Sequence, residues 1–136
     1  MFLLDADTCI AILRGRPKEP VERLKETSPS EVAVSAVVRA ELMYGARHSR
    51  APAENLRLVR EFLEPLTCVP FEERCADAYG SLREDLARRG RLIGPNDLLI
   101  AATALANDMT LVTHNTEVFG RVVVLKWVDW HEKGTS

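Results

Sequence analysis

Residues 93–115 read IGPNDLLIAATALANDMTLVTHN. Gly94 or Asn96 can cap a helix over 97–107, with Pro95 bracing its first turn. The apolar residues that follow leave that helix almost no polar face, so it belongs inside a protein rather than on its surface. Met109–Thr113 then reads as a strand. A buried helix feeding a short buried strand is one half of a β-α-β unit, and a carboxylate, Asp97, opens the helix. Burying that charge costs several kcal/mol unless hydrogen bonds, a counter-charge or a metal compensate. The rest of the chain must supply the partner.

Outward from this stretch the same alternation recurs. Phe2-Leu3-Leu4 is a strand ending in Asp5, and 8–14 a helix stopped by Gly15 and Pro17. A short amphipathic helix over 20–27, a strand over 32–35 and helices over 37–48 and 51–63 follow. Residues 66–71 are strand-like, 72–89 form a long amphipathic helix ended by Gly90, and 122–128 form a last strand before a polar tail. Strands alternating with helices predict an α/β fold with a central parallel sheet flanked by helices on both faces. The 136 residues suit a single domain, 1–136, with its core at about 2–128.

Composition narrows the function classes. Net charge is −2, which announces no nucleic-acid partner, and 46% hydrophobic with 28% charged residues is ordinary for a soluble domain. Cys9, Cys68 and Cys75 form neither an even set nor a CxxC pair, which argues against a disulfide scaffold or a cysteine zinc site. No basic leader, signal peptide or spanning segment is legible, so a cytoplasmic, membrane-free protein is expected.

In parallel sheets ligands bind beyond the carboxyl ends of the strands. Asp5 and Asp7 follow the first strand, Ser35 ends the second, and Thr113-His114-Asn115 follows the strand after the Asp97 helix. Glu41 lies on the helix after Ser35, among Val37, Val38, Tyr44 and Gly45 at helical spacing. Each has an ordinary structural reading. Asp97 suits a helix N-terminus, Asp5 or Asp7 and Ser35 suit caps, Glu41 can pair with Arg39 or Arg47, and Asn115 can serve a turn. What those readings leave unexplained is that the acids can all face one sheet edge. Crowded like charges repel unless a cation joins them, and hard oxygen donors without a cysteine or histidine cluster favour Mg²⁺ or Mn²⁺ over Zn²⁺. Metal-dependent phosphoryl chemistry follows as the expectation. Arg14, Arg16 and Lys18, with Arg47, His48 and Arg50, offer local positive charge.

LLDADTCIAIL, SAVVRAELMYGA and IGPNDLLIAATALANDMTLVTHN together resemble, in order and over about residues 2–128, the PIN-domain ribonucleases, specifically the VapC-like toxins of type II toxin–antitoxin pairs. The resemblance implies a Mg²⁺-dependent endoribonuclease. Asp5, Glu41 and Asp97 would hold the metal, Asn115 would join them as a catalytic fourth member, and RNA would be the substrate. It also implies a homodimer restrained by a cognate antitoxin protein. This chain has Asn115 where the family often has Asp, Val118 where an acid is common, and Asp7 where Asn is common. FLLDADT also fits the first motif of haloacid-dehalogenase-like phosphatases, but the other motifs of that family are missing and Glu41 stays unexplained. A receiver-like signalling domain would share the acids after strand one, Thr113 and Lys126, but LTCVPF lacks the required phospho-accepting Asp.

Overall fold

The computed structural model describes residues 1–133. Its elements, in order, are β1 (Phe2–Leu4), α1 (Ala6–Arg14), α2 (Lys18–Glu26), β2 (Val32–Ser35), α3 (Ala36–Arg47), α4 (Pro52–Leu63), β3 (Thr67–Val69), α5 (Glu73–Arg88), α6 (Pro95–Ala106), β4 (Thr110–Val112), α7 (Thr116–Phe119) and β5 (Trp127–Val128). All strand pairings are parallel and the sheet order is β3-β2-β1-β4-β5. The chain moves outward from β1 to β3, then crosses back to lay β4 on the other side of β1. With right-handed crossovers, the helices before β3 cover one face and those after it the other. The α/β class and parallel sheet are therefore as expected.

The sheet is buried because its strands are. Leu3, Leu4, Val32, Ala33, Val34, Leu111 and Val112 are all buried, as suits a parallel sheet covered on both faces. Helix α6 packs most extensively on α5, and Leu98, Ile100, Ala101, Ala102 and Ala104 are buried along it. Its alanines let the helix approach closely. The amphipathic stripes of α4 and α5 are buried within the fold, through Val59 and Leu63 on one and Cys75, Leu82 and Leu86 on the other.

Helix starts follow local chemistry. Gly94 is the N-cap of α6 with Pro95 in its first turn, while α1 begins at Ala6, earlier than the apolar pattern indicates, because Asp5 caps it. Ser35 is the N-cap of α3, its Oγ accepting the Val38 N–H at 3.0 Å. The Cys9, Cys68 and Cys75 thiols are all free.

The C-terminal region differs from expectation. The strand anticipated over 122–128 is reduced to Trp127–Val128. Val122 and Leu125 are both buried at a spacing of three, and the Leu125 N–H donates to the Val122 carbonyl at 3.1 Å, so this segment turns instead of extending. Helix α7 has no counterpart in the sequence reading; it is a single turn that sinks Phe119 into the core. Beyond residue 128, Trp130 is 2% exposed and meets Phe2 edge-on, with ring centroids 5.5 Å apart. The end of the expected polar tail, 134–136, lies outside the described residues.

Loss of the buried Ser35 cap has a defined cost. Ser35→Ala is expected to lower the unfolding free energy by about 0.5–2 kcal/mol. Urea denaturation checks it, as a lower midpoint with an unchanged slope.

Candidate active site

The crevice between β1 and β4 is the point where the strand order reverses, the place where open parallel sheets bind ligands. Leu4 is opposite Val34 on one side and Val112 on the other. The next row along the sheet is therefore Ser35, Asp5 and Thr113. Asp5 is tied down twice: its N–H donates to the Val112 carbonyl at 3.0 Å, and its Oδ1 accepts the Thr8 N–H at 2.9 Å. The Thr8 hydroxyl in turn donates to the Val112 carbonyl at 3.3 Å. The capping reading of Asp5 is correct.

Helices from opposite faces of the sheet bring the other acids in. Glu41 comes from the second turn of α3, and Asp97 from the first turn of α6, where the helix N-terminus favours a carboxylate. Asp5, Ala6, Asp7, Glu41, Asp97, Ile100, Asn115 and Phe119 line one small pocket. All four residues singled out as the site thus meet, with Asp7 as a fourth carboxylate beside Asn115. Asn115 precedes α7 without capping it through its side chain; its N–H donates to Thr113 Oγ1 at 3.0 Å.

The electrostatics of the pocket are unbalanced. Its lining holds no lysine, arginine or histidine. Glu41 is not neutralised by Arg39 or Arg47 as its structural reading had suggested: its Oε1 is buried without a hydrogen-bond partner. Burial, then Asp97, Asp7 and Asp5, push the Glu41 carboxyl above its usual range. Burial, then Asp5 and Asp7, do the same to Asp97. Burial also raises Asp5, against the lowering effect of Thr113 and Thr8. The buried Cys9 thiol behind them is pushed well up, by burial first and by Asp5 next.

Oxygen donors from carboxylates, one of them orphaned, with no internal cation to satisfy them, fit a hard divalent ion such as Mg²⁺ or Mn²⁺. Asp5, Glu41 and Asp97 are the residues that could hold it. The sequence reading gave Thr113 no contact with Asp5 and did not single out Phe119 or Ile100. Their signal was positional: Thr113 follows a buried strand in register with Asp5, and Phe119 lies four residues beyond Asn115. The basic residues occupy different ground. Arg14, Arg16, Lys18, Arg47, His48 and Arg50 are exposed at the far ends of α1 and α3, and none lines the acid pocket. Arg14 does line a neighbouring apolar groove with Ile10, Leu13, Leu42, Leu58 and Val59, which shares Glu41 with the pocket.

An α/β domain with an acid pocket at this position defines a class, and comparison with known proteins agrees. The sequence profile of the PIN domain matches residues 2–125. The chain belongs to the PIN-domain family, in its VapC branch. It is 33% identical to ribonuclease VapC2 of Haemophilus influenzae over 129 residues, covering 95% of this chain and 97% of that protein. It is 34% identical to the tRNA(fMet)-specific endonuclease VapC of Shigella flexneri, with the same coverage. The crystal structure of VapBC2 from Rickettsia felis bound to a DNA fragment from their promoter includes a similar chain, with a TM-score of 0.89, 34% identity, and coverage of 95% of this chain and 98% of that one. These matches favour the PIN reading over the phosphatase and receiver alternatives.

Two outcomes follow from the crowding. A carboxyl whose folded pKa is raised binds protons better folded than unfolded, so its contribution to stability is complete below the ordinary carboxylate range and lost as pH rises through the folded value. Metal-free protein in EDTA should therefore lose stability relative to an Asp97→Asn variant as pH rises above the ordinary carboxylate range toward neutrality. Calorimetry across that range measures the difference; a constant gap between the two proteins would contradict it. Asn115→Asp adds a further like charge, and is expected to lower the melting temperature of metal-free protein while tightening Mn²⁺ binding in titration calorimetry.

Proposed function

We propose that this chain is a Mg²⁺-dependent endoribonuclease, with Mn²⁺ as a substitute, acting as the toxin of a toxin–antitoxin pair. The observation that carries the reading is the convergence of Asp5, Glu41 and Asp97 from three elements on a pocket with no cationic lining. Its relatives are named as ribonucleases and endonucleases, and structures similar to it are VapBC complexes.

The residues divide the work. Asp5, Glu41 and Asp97 would hold the ion, with Asp7 adding negative charge at the rim. When bound, such an ion activates water and neutralises charge building on a phosphate. Asp5 is fixed by the Thr8 N–H, so its carboxylate is presented without reorganisation when substrate arrives. Asn115 offers an amide that orients water or a phosphate oxygen without adding to the repulsion. Among the described residues no serine, cysteine or histidine lines the pocket, which suits hydrolysis without covalent attachment of RNA to the protein. Arg14, beside the shared groove, is the basic residue best placed to meet the substrate backbone.

The same geometry suits restraint by a cognate antitoxin protein. The groove between α1, α3 and α4 is largely apolar and opens at Glu41, so a segment with apolar anchors and one cationic side chain would fill the groove and neutralise the acids together. The reading includes a homodimer: with the stripes of α4 and α5 buried, exposed Val123, Val124, Trp127 and Val128 are apolar area left for a second copy. No helix among the described residues is long and apolar enough to cross a membrane, and a cytoplasmic location fits an RNA substrate.

Purified, partner-free protein incubated with total RNA is expected to cleave it with Mg²⁺ and to stop with EDTA. Asp97→Asn should be inactive while folded. Expression of the chain alone should arrest bacterial growth and the Asp5→Ala variant should not. Cleavage at wild-type rate by Asp97→Asn would remove the acid pocket from the reaction.

A further inference from the structure

A second cluster of ligand-type side chains lies at the same sheet edge, outside the acid pocket. In register, Val112 of β4 is opposite Val128 of β5, so Thr113 and Asp129 occupy the next row. Thr113 faces toward Asp5, whereas His114 reaches Asp129: His114 Nδ1 is 2.9 Å from Asp129 Oδ2, across 15 residues of sequence. Two residues further on, His131 closes the group. Its backbone N–H donates to Asp129 Oδ1 at 2.9 Å, and its Nδ1 lies 3.5 Å from the same oxygen.

Three features distinguish this group from a surface ion pair. The Asp129 side chain is 6% exposed, and among the described residues no lysine or arginine pairs with it. The His114 and His131 rings stack with centroids 4.2 Å apart. His131 Nδ1 is buried with no hydrogen-bond partner. A buried imidazole nitrogen so placed has lost its hydration without a hydrogen bond in exchange, although it lies beside the Asp129 carboxylate. A single divalent ion would give that nitrogen a partner, accept a lone pair from each ring and neutralise the carboxylate.

The donor set identifies the class of ion. Two imidazole nitrogens and one carboxylate oxygen suit Zn²⁺, Co²⁺ or Ni²⁺, whereas Mg²⁺ requires oxygen donors. One ligand atom from each residue can be chosen so that all three lie within 4.8 Å of one another. Metal–nitrogen bonds of about 2.0–2.1 Å at tetrahedral angles separate ligand atoms by about 3.4 Å, close to the 3.5 Å between His131 Nδ1 and Asp129 Oδ1. The frame is rigid on one side: Trp130, between two of the ligands, is buried against Phe2. On the other side His114 is 60% exposed, leaving it free to adjust and a coordination position open to water.

We propose that His114, Asp129 and His131 form a binding site for a borderline transition-metal ion of the Zn²⁺, Co²⁺ and Ni²⁺ class, which ties the end of β4 to the end of β5. The occupied site clamps the 113–115 loop from the side opposite the acid pocket. It stands whether or not the acid pocket cleaves RNA.

The test is Co²⁺ titration of untagged, metal-free protein carrying Glu41→Gln and Asp97→Asn, which disable the oxygen-donor pocket. The expected result is one equivalent of bound Co²⁺ with an intense visible absorption of low coordination number, displaced by Zn²⁺, and a higher melting temperature with Zn²⁺. His114→Ala and His131→Gln should each weaken Co²⁺ binding at least about tenfold, with folding followed by circular dichroism. His114 is exposed, so its variant reports even where His131→Gln unfolds. A Co²⁺ spectrum no stronger than that of the aqueous ion, or an affinity unaltered by His114→Ala in folded protein, overturns the proposal.

Discussion

The structure is organised around an electrostatic conflict. Asp5, Asp7, Glu41 and Asp97 line one pocket without a cationic side chain among them, and burial raises the cost of charging three of them. Nothing in packing rewards that arrangement. Like charges gathered in one pocket repel, so the fold must overcome this repulsion from elsewhere. Its means are the hydrophobic sheet and the closely packed α5–α6 pair, which hold the acid-bearing helices in place regardless of what the acids prefer.

The scaffold also limits the damage locally. Asp5 is the most buried of the acids and the one supported by hydrogen bonds, from the Thr8 N–H and with further help from Thr113. Asp97 has the N-terminus of α6. Glu41, in the second turn of its helix, has neither aid, and its Oε1 is the atom left unpartnered. The site is therefore graded, from a well-supported acid at the strand end to an orphaned one on the helix. A cation held there as proposed would gain most from the group that the protein itself satisfies least.

Much of this was legible in the sequence, for identifiable reasons. Strands β1, β2 and β4 are short uninterrupted apolar runs ending in a polar residue, so their ends, and hence Asp5, Ser35 and Thr113, could be placed by pattern. Glu41 and Asp97 stood out because each interrupts an apolar helical pattern. The segment after β4 was not legible because its apolar residues serve a different geometry. Val122, Val123, Val124 and Leu125 resemble a strand in composition, yet only Val122 and Leu125 turn inward, in a compact bend following α7. β-Branched composition states that a segment packs, and tertiary context decides whether it extends. The His114–Asp129–His131 group was invisible for a related reason: strand register, which no local pattern encodes, brings its members together.

Register also explains how two chemically different sets of donors coexist at one sheet edge. Along 113–115 the chain alternates sides: Thr113 favours the charged form of Asp5, His114 contacts Asp129, and Asn115 lines the acid pocket. The bend at His114, closed by the Asn115 N–H on Thr113 Oγ1, turns His114 away from its two neighbours, so this one loop separates oxygen donors from nitrogen donors. Hard ions keep to carboxylates and amides, and borderline ions prefer imidazole. If the two sites hold ions as proposed, the separation would act as a filter. An imidazole directed into the acid pocket would recruit Zn²⁺ in competition with Mg²⁺, and the position that carries His114 is the one of the three that faces away from it. Asn115, an oxygen donor without charge, keeps the pocket hard while adding nothing to the repulsion among the four acids.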